Sequence, residues 1–512
     1  MALSGPTALW LGTLPVTPNN RNQLATWIAR VDGAINASGV ITVDDANADG
    51  VTDDYAIIQA ALTLAATAGY GVVYLPPGRY LVNAGCLALP SNVVLRGAGM
   101  GATTIVGGVG TYPTTTIGNT TVNSTIVAVG KNHCGVEDLT IDHQTNSTSA
   151  NGIAFEPAST VAQDYQGTGC SDVWVRGVEV LGYVAHQYLI WGMRVTRMTV
   201  EGCTIDGYAA AYVEDQNGIE IYGGYDVHIH KNKIRRCAGS GICVVSPTPA
   251  YDNTESDTVT IEGNQIRSCN FGVTLNPVYE ASPGAQNLTD IIVRGNTIKS
   301  CNSRGVYLLD EYTTTDTTGV LIAGNLIDAT PIGIAATSTQ AKSGVSRAVR
   351  IVGNVVRNAS HASLGAIYAT LIPNLTIEGN EIYNATYDGI RLTTLTGARI
   401  AGNRIHTTGN RGIHGDALTD CTITDNTTDA TTQAGIFCTS SPVRVVCTHN
   451  HIRNVPTAVI ALFMAGGDYC AVNDNDFYRA ANSTYEIAHT GTNRQTLRNV
   501  ALGAGVGTFT EV

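Results

Sequence analysis

Four side chains in the first half of this chain have the right types for acid–base chemistry, provided folding stacks them. Glu156 ends GIAFE (152–156), His186 and Tyr188 lie in AHQYL (185–189), and Glu220 sits in GIEIY (218–222). Glu214 and Asp215 lead into that last segment. Two carboxyl groups flanking a sugar bond can hydrolyse it, one protonating the leaving oxygen and the other activating water. A Tyr/His pair can instead abstract a proton next to a uronate carboxylate and protonate the leaving group, which is lyase chemistry. Downstream, Tyr222, Tyr307, Asp310 and Glu311 offer ring faces and acceptors for binding a sugar. His228 and His230 share a strand face without a visible third ligand, so no metal site is assigned. Arg391, His414 and Asp416 form a smaller, later set on one face.

Such a set is useful only on a scaffold that brings distant segments into register. The scaffold is written in a repeat: VTIEGNQI (259–266), IIVRGNTI (291–298), VLIAGNLI (320–327), VRIVGNVV (349–356), LTIEGNEI (375–382) and ARIAGNRI (398–405). Each copy alternates apolar and polar residues, the period of a strand. The closing asparagines are 232, 264, 296, 325, 354, 380, 403, 426, 450 and 475, spaced by 23 to 32 residues. A period of that size marks a solenoid. A second short strand, often led by Gly, follows each Asn: GICVV (241), GVTLN (272), GVYLL (305), GIRLT (389) and GIFCT (435). Two or three short strands per repeat predict about a dozen coils of a β-helix, with rungs about 4.8 Å apart. A column of Asn amides can then bond up the stack. Cys237, Cys269 and Cys301 form a second column, continued by Thr330, Ala359, Ala385 and Thr408, and read as packing. On this register Glu156 and Glu220 lie two rungs apart, roughly 10 Å.

The chain of 512 residues has 14% charged residues, 56 glycines and a net charge of −12, which disfavours a nucleic-acid partner. Its 12 cysteines are too sparse for a disulfide framework. No run of about 18 apolar residues predicts a membrane span. The N-terminus lacks a basic, apolar leader pattern, so no signal peptide is expected. Residues 1–40 read as a separate coupling or capping segment, with Leu24, Trp27, Ile28 and Val31 at helical spacing within 19–37. Residues 41–475 read as the β-helix, and 476–512, where the repeat fades, as a C-terminal cap. Extra loop sits in the coils before about residue 350 and should wall a groove there.

Residues 41–82, ITVDDANADGVTDDYAIIQAALTLAATAGYGVVYLPPGRYLV, resemble the opening of the pectate-lyase-like β-helix superfamily. Asp49, Gly50, Asp53 and Asp54 match its acidic turn, and Asp53 or Asp54 is placed to cap a helix over roughly 54–68. CLALPSNVVLRGAGMGATTIVG (86–107) is similar to the first coil of mannuronan C5-epimerase modules and of phage tailspikes. The resemblance implies an all-β, right-handed, single-stranded parallel β-helix with an N-terminal capping helix. Laid on the epimerase pattern, GYVAHQYL (182–189) puts Tyr183 at the family Tyr, but His186 and Tyr188 where the family has Asp and His. The family's upstream Lys has no counterpart near Ser149–Asn151.

Three functions follow as expectations. The first is a tailspike-like protein that binds and depolymerises a bacterial surface polysaccharide, as a homotrimer on a virion or released without Sec export. The second is a free uronan lyase or C5-epimerase-like enzyme. The third is a non-catalytic structural or adhesin β-helix. Expected catalytic residues are Glu156, Tyr183, His186, Tyr188, Asp215 and Glu220. Expected substrate-binding residues are Glu214, Tyr222, Tyr307, Asp310 and Glu311. No cofactor is expected, with a structural or substrate-bridging Ca²⁺ left open. The partner is a polysaccharide rather than nucleic acid or membrane.

Overall fold

The computed structural model describes residues 39–107, 115–117, 120–143, 151–158, 167–182, 188–207, 216–246, 256–276, 287–310, 317–338, 348–455, 461–478, 485–489, 495–502 and 509–511. The expected helix within 19–37 lies outside them. Among the described residues no helix is long and apolar enough to cross a membrane.

The chain winds as a right-handed parallel β-helix. Each full coil has three strands: one ending at the ladder Asn, a short strand after it, and the Gly-led strand. Ser256–Glu262, Gln265–Arg267 and Phe271–Asn276 make one such coil. Each pairs in parallel with its equivalent one coil on, so that Ile261 lies on Val293, Ile266 on Ile298 and Val273 on Val306. These stacked aliphatic columns fill the interior. Most inward positions meet an aliphatic residue above and below, so packing favours one register. A slip by one residue would turn each column outward.

Two local devices shape the coil. The residue before the ladder Asn is left-handed: Gly263 has φ +63° and Gly295 φ +61°, and the same corner is made by Asp425 and Asp474. That turn aims the Asn side chain inward. Asn232 Nδ2 donates to Asn264 Oδ1 at 3.0 Å and to Val200 O at 2.9 Å, and its backbone N–H also bonds that Oδ1. The pattern repeats without a break to Asn499. The second device is the leading Gly of the third strand. A Cβ on Gly272 would sit 2.3 Å from Gly305 O of the next coil. Only hydrogen fits there.

Helix Tyr55–Ala68 covers the first coil, burying Ile58, Ala61, Leu62 and Ala65. Asp54 stands at its N-cap but turns its carboxylate back onto Asn47 N (2.8 Å) and Ala48 N (3.2 Å). Asp53 instead accepts the Tyr55 N–H at 3.0 Å. Asp49 closes the acidic turn onto Val51 N and Thr52 N, and the Thr52 N–H bond leads in holding its pKa below the usual value. These acids build the turn.

The Cys column is packing: Cys237, Cys269 and Cys301 are buried, and every described Cys is unbonded and buried. The repeat does not end at residue 475. Strands Tyr485–His489, Gln495–Leu497, Val500–Leu502 and Phe509–Glu511 continue the parallel pairing. Asn499 extends the ladder. The fading of the sequence pattern there reflects a change of side chains and not of the coil.

Candidate functional site

The Gly-led strands form one continuous outer face, and their pairing sets its columns. One column runs Ala154, Trp191, Glu220, Cys243, Thr274, Tyr307. It continues as Ala335, Tyr368, Arg391, His414, Phe437, Phe463. Two residues further along the strands, a second outer column carries Tyr222, Val245 and Asn276. Glu156 lies at the N-terminal end of this second line. Glu156 and Glu220 are therefore diagonal neighbours. Two rungs and two residues separate their backbones by about 12 Å, rather than the 10 Å of a straight stack.

Glu156 is buried against an apolar patch formed by Cys86, Val127, Val129, Ala154 and Trp191. Its carboxyl has no hydrogen-bond partner among the described residues. Desolvation alone raises its pKa to about 8, because nothing there stabilises the anion. Glu156 thus holds a proton at neutral pH. Glu220 is also buried, but it is served: Asn217 Nδ2 donates to its Oε2 at 2.6 Å. Asn217 is in turn held by Ser240, whose backbone N–H bonds its Oδ1 at 2.6 Å. Between the two acids in rung order stands Trp191. Its ring lies 5.0 Å from Tyr188, tilted 55°, and its indole N–H is buried without an acceptor among the described residues.

The expected residues distribute as follows. Glu156, Tyr188 and Glu220 come together around Trp191. Tyr183, His186, Glu214, Asp215 and Glu311 lie outside the described residues. The strand expected through AHQYL instead begins at Ile190, so the outward position of that coil belongs to Trp191. Tyr188 precedes the strand, with its N–H on Asn151 Oδ1 at 3.2 Å. Tyr222 faces outward beside Val245 in register. Tyr307 is outward too, stacked on Phe271 at 5.7 Å, with the Arg304 guanidinium 4.0 Å from its ring centroid. Asp310 corrects the expectation: it is fully buried in register with Ser338, at an inward strand position instead of on the groove rim.

Two other sets share a face as expected, with partners the sequence did not name. His228 and His230 are outer-face residues beside Asp226 and Glu201, at 3.2 and 3.7 Å. His414 pairs with the buried Asp388 at 3.0 Å, and not with Asp416. Sequence inspection missed Trp191 and Asp388. Trp191 was legible only once the start of its strand was known. Asp388 sits immediately before the leading Gly389, where alternation does not mark it as outward.

A depression of about 500 Å³ on the described surface lies elsewhere. It lies on the short strands after the Asn corner, lined by Lys233, Arg235, Arg267 and Lys299 among others. It contains cations but no paired acid and base. The Gly-led face carries buried acid–base groups, aromatic rings and the ends of the longest connections. Residues 183–187 and 208–215 lead into its strands, while 247–255, 277–286, 311–316 and 339–347 follow them.

Known proteins share this architecture. Residues 41–274 match the family described as "Rhamnogalacturonase A/epimerase, pectate lyase-like", and 344–477 match "Right handed beta helix region". Mannuronan C5-epimerase AlgE4 of Azotobacter vinelandii is 33% identical over 186 residues, 33% of this chain and 31% of that enzyme. Sister epimerases are covered over only 6% to 23% of their length. A mutant tailspike of E. coli bacteriophage HK620, solved with a pentasaccharide, superposes with TM-score 0.52 at 14% identity, over 84% of this chain and 77% of the tailspike. The Streptococcus pneumoniae surface adhesin PfbA gives 0.50 at 17%, over 75% and 89%. At these identities the structural likenesses speak to the fold.

Proposed function

Since the chain folds as a right-handed β-helix whose residues 41–274 match a pectate-lyase-like family, we propose that it binds a bacterial surface polysaccharide along its Gly-led face and hydrolyses it, in the manner of a tailspike. The observation that carries this reading is the pairing of unlike acids at one end of the face. Glu156 keeps its proton at neutral pH and serves as general acid toward the glycosidic oxygen. Glu220, set by Asn217, serves as the partner base. Trp191 offers its ring to a sugar at this end of the face. The diagonal spacing leaves room for a water between the acids. It requires both side chains to lean inward to reach the roughly 6.5–9.5 Å of an inverting pair. The Tyr307–Arg304–Phe271 platform and Tyr222 would hold residues of the same glycan further along.

Uronan lyase or epimerase chemistry is the second reading, favoured by the 33% identity to AlgE4 over 186 residues. It would place the reaction on Tyr183, His186 and Tyr188. The homotrimer belongs to the tailspike reading and is checked by light scattering on the purified protein.

One experiment separates these readings. The protein is incubated with capsular and lipopolysaccharide glycans, alginate and pectate, and products are read by mass spectrometry and by the ultraviolet absorbance of unsaturated uronates. Saturated oligosaccharides, abolished in both Glu156→Gln and Glu220→Gln, support the hydrolase. Unsaturated products replace it with the lyase. Binding without any product leaves a recognition protein.

A further inference from the structure

Six rungs beyond Glu220, about 29 Å along the same face, a second polar cluster is built into coils with short connections. Asp388 is fully buried. Its Oδ1 accepts Asn410 Nδ2 at 2.7 Å and Arg411 N at 3.2 Å. Its Oδ2 accepts His414 Nδ1 at 3.0 Å and Arg391 Nη1 at 3.3 Å. The His414 proton is thus committed to Asp388 from Nδ1, which leaves Nε2 as the acceptor.

Counting donors against acceptors then exposes an imbalance. Arg391 and Arg411 each bring a terminal nitrogen to His414 Nδ1, at 3.2 and 3.1 Å. A protonated Nδ1 cannot accept from either. Arg411 has no carboxylate at ion-pair distance among the described residues, and its Nε is buried without an acceptor. Two guanidinium groups therefore share one internal carboxylate. The cluster carries an excess positive charge on a chain whose net charge is −12. Such an arrangement is costly unless an anion completes it.

The surroundings specify what kind of anion. In the same column Tyr368 lies one rung before Arg391, and Phe437 and Phe463 follow His414. Phe437 and Phe463 stack at 4.7 Å, and Arg411 lies 4.0 Å from the Phe437 ring centroid. Rings on both sides of a cationic pair suit a pyranose that bears a charged substituent.

We propose that Arg391 and Arg411, positioned by Asp388 and His414, form a binding subsite for the carboxylate of an acidic sugar. The inference rests on the reading that polysaccharide lies along this face, and it adds the substrate class: an acidic glycan. Arg411 takes the carboxylate with the N–H groups that His414 cannot accept. Arg391 supplies the second donor set, and Tyr368, one rung before Arg391, offers its ring to the sugar.

The test uses the whole chain with alginate and galacturonate oligomers and the same oligomers after chemical reduction of their carboxyl groups. Binding is read by calorimetry and products in parallel. Wild type should bind the carboxylated form at least tenfold more tightly than the reduced form. The Arg391→Gln/Arg411→Gln variant should bind both forms alike, while Arg391→Lys/Arg411→Lys keeps part of the preference. Equal binding of both forms by wild type overturns the proposal, as does no binding of either acidic oligomer. So does a full tenfold preference retained by the Gln variant. The wild-type comparison holds even if a variant misfolds. A preserved preference without any product supports the subsite, and the hydrolase reading then falls only if the capsular and lipopolysaccharide glycans also give no product.

Discussion

Replacing Glu156 with Gln keeps the shape of the buried side chain and removes its titration. Burial raises the Glu156 pKa from 4.5 to about 8. The folded chain therefore keeps a proton that the unfolded chain gives up. For a raised carboxyl, this contribution to stability is complete below the unfolded value. It is lost as pH rises through the folded value. Between about pH 5 and about pH 9 the wild type should lose roughly 4 kcal/mol more than the variant, at about 1.36 kcal/mol per pKa unit. In a solenoid this loss is local to neighbouring coils. The assay is hydrogen exchange of the strand Asn151–Glu156 and its neighbours Ser124–Val129 and Ile190–Glu201. Opening free energies are compared at the two pH values in both proteins. A difference in pH dependence below about 1 kcal/mol would mean that Glu156 ionises like an exposed carboxyl. The general-acid assignment would then fall with it.

His143, fully buried against Thr125, has its pKa lowered by desolvation to about 4. The unfolded chain takes up a proton first, so stability is lost as pH falls from about 6.5 through about 4, by roughly 3 kcal/mol. His143→Gln should flatten that acid limb in urea titrations. Asn354→Ala removes the acceptor of Asn325 N and Nδ2 and the donor to Ile322 O. Leaving these buried groups unpaired should cost about 2–4 kcal/mol, read as faster exchange in the coils that contain Asn325 and Asn380. Gly272→Ala forces a contact with Gly305 O and should cost about 3 kcal/mol. Gly263→Ala meets open space and adds only left-handed strain of about 1–2 kcal/mol. Equal thermal shifts for the two would refute the close-approach account of the leading Gly.

The scaffold was legible because each coil repeats the same physical problem. An inward aliphatic, a left-handed corner and a buried amide recur wherever the chain turns, and Ile261, Gly263 and Asn264 announce all three in sequence. The ends of that legibility are equally physical. Asn499 escaped notice because HTGTNRQTLRNV lacks the aliphatic partners that frame the earlier copies. The site was harder to see, since outward columns carry no recurring residue type. Glu156 and Glu220 were found by alternation, but their diagonal offset depends on where the intervening strand begins. Trp191 marks that point, in a strand that begins at Ile190, after the segment AHQYL has ended. Asp388 was missed because it stands outside the alternating part of its strand, where the backbone prepares for Gly389. Asp310 was misplaced because it was read as lying at the strand end; alternation from Tyr307 turns it inward, where the strand has it.

The amide column also explains how one frame can carry unequal walls. Asn232 and Asn264 are 32 residues apart and Asn380 and Asn403 only 23, yet their side-chain bonds measure 3.0 and 2.9 Å. The rise from coil to coil is therefore independent of how much polypeptide each coil spends on its connection. An insertion lengthens a connection without shifting the phase of any later rung. In such a frame the recognition surface can be rewritten segment by segment while the distances between groups on the Gly-led face stay constant. A grafted connection would alter which glycan is held and leave the chemistry where it was.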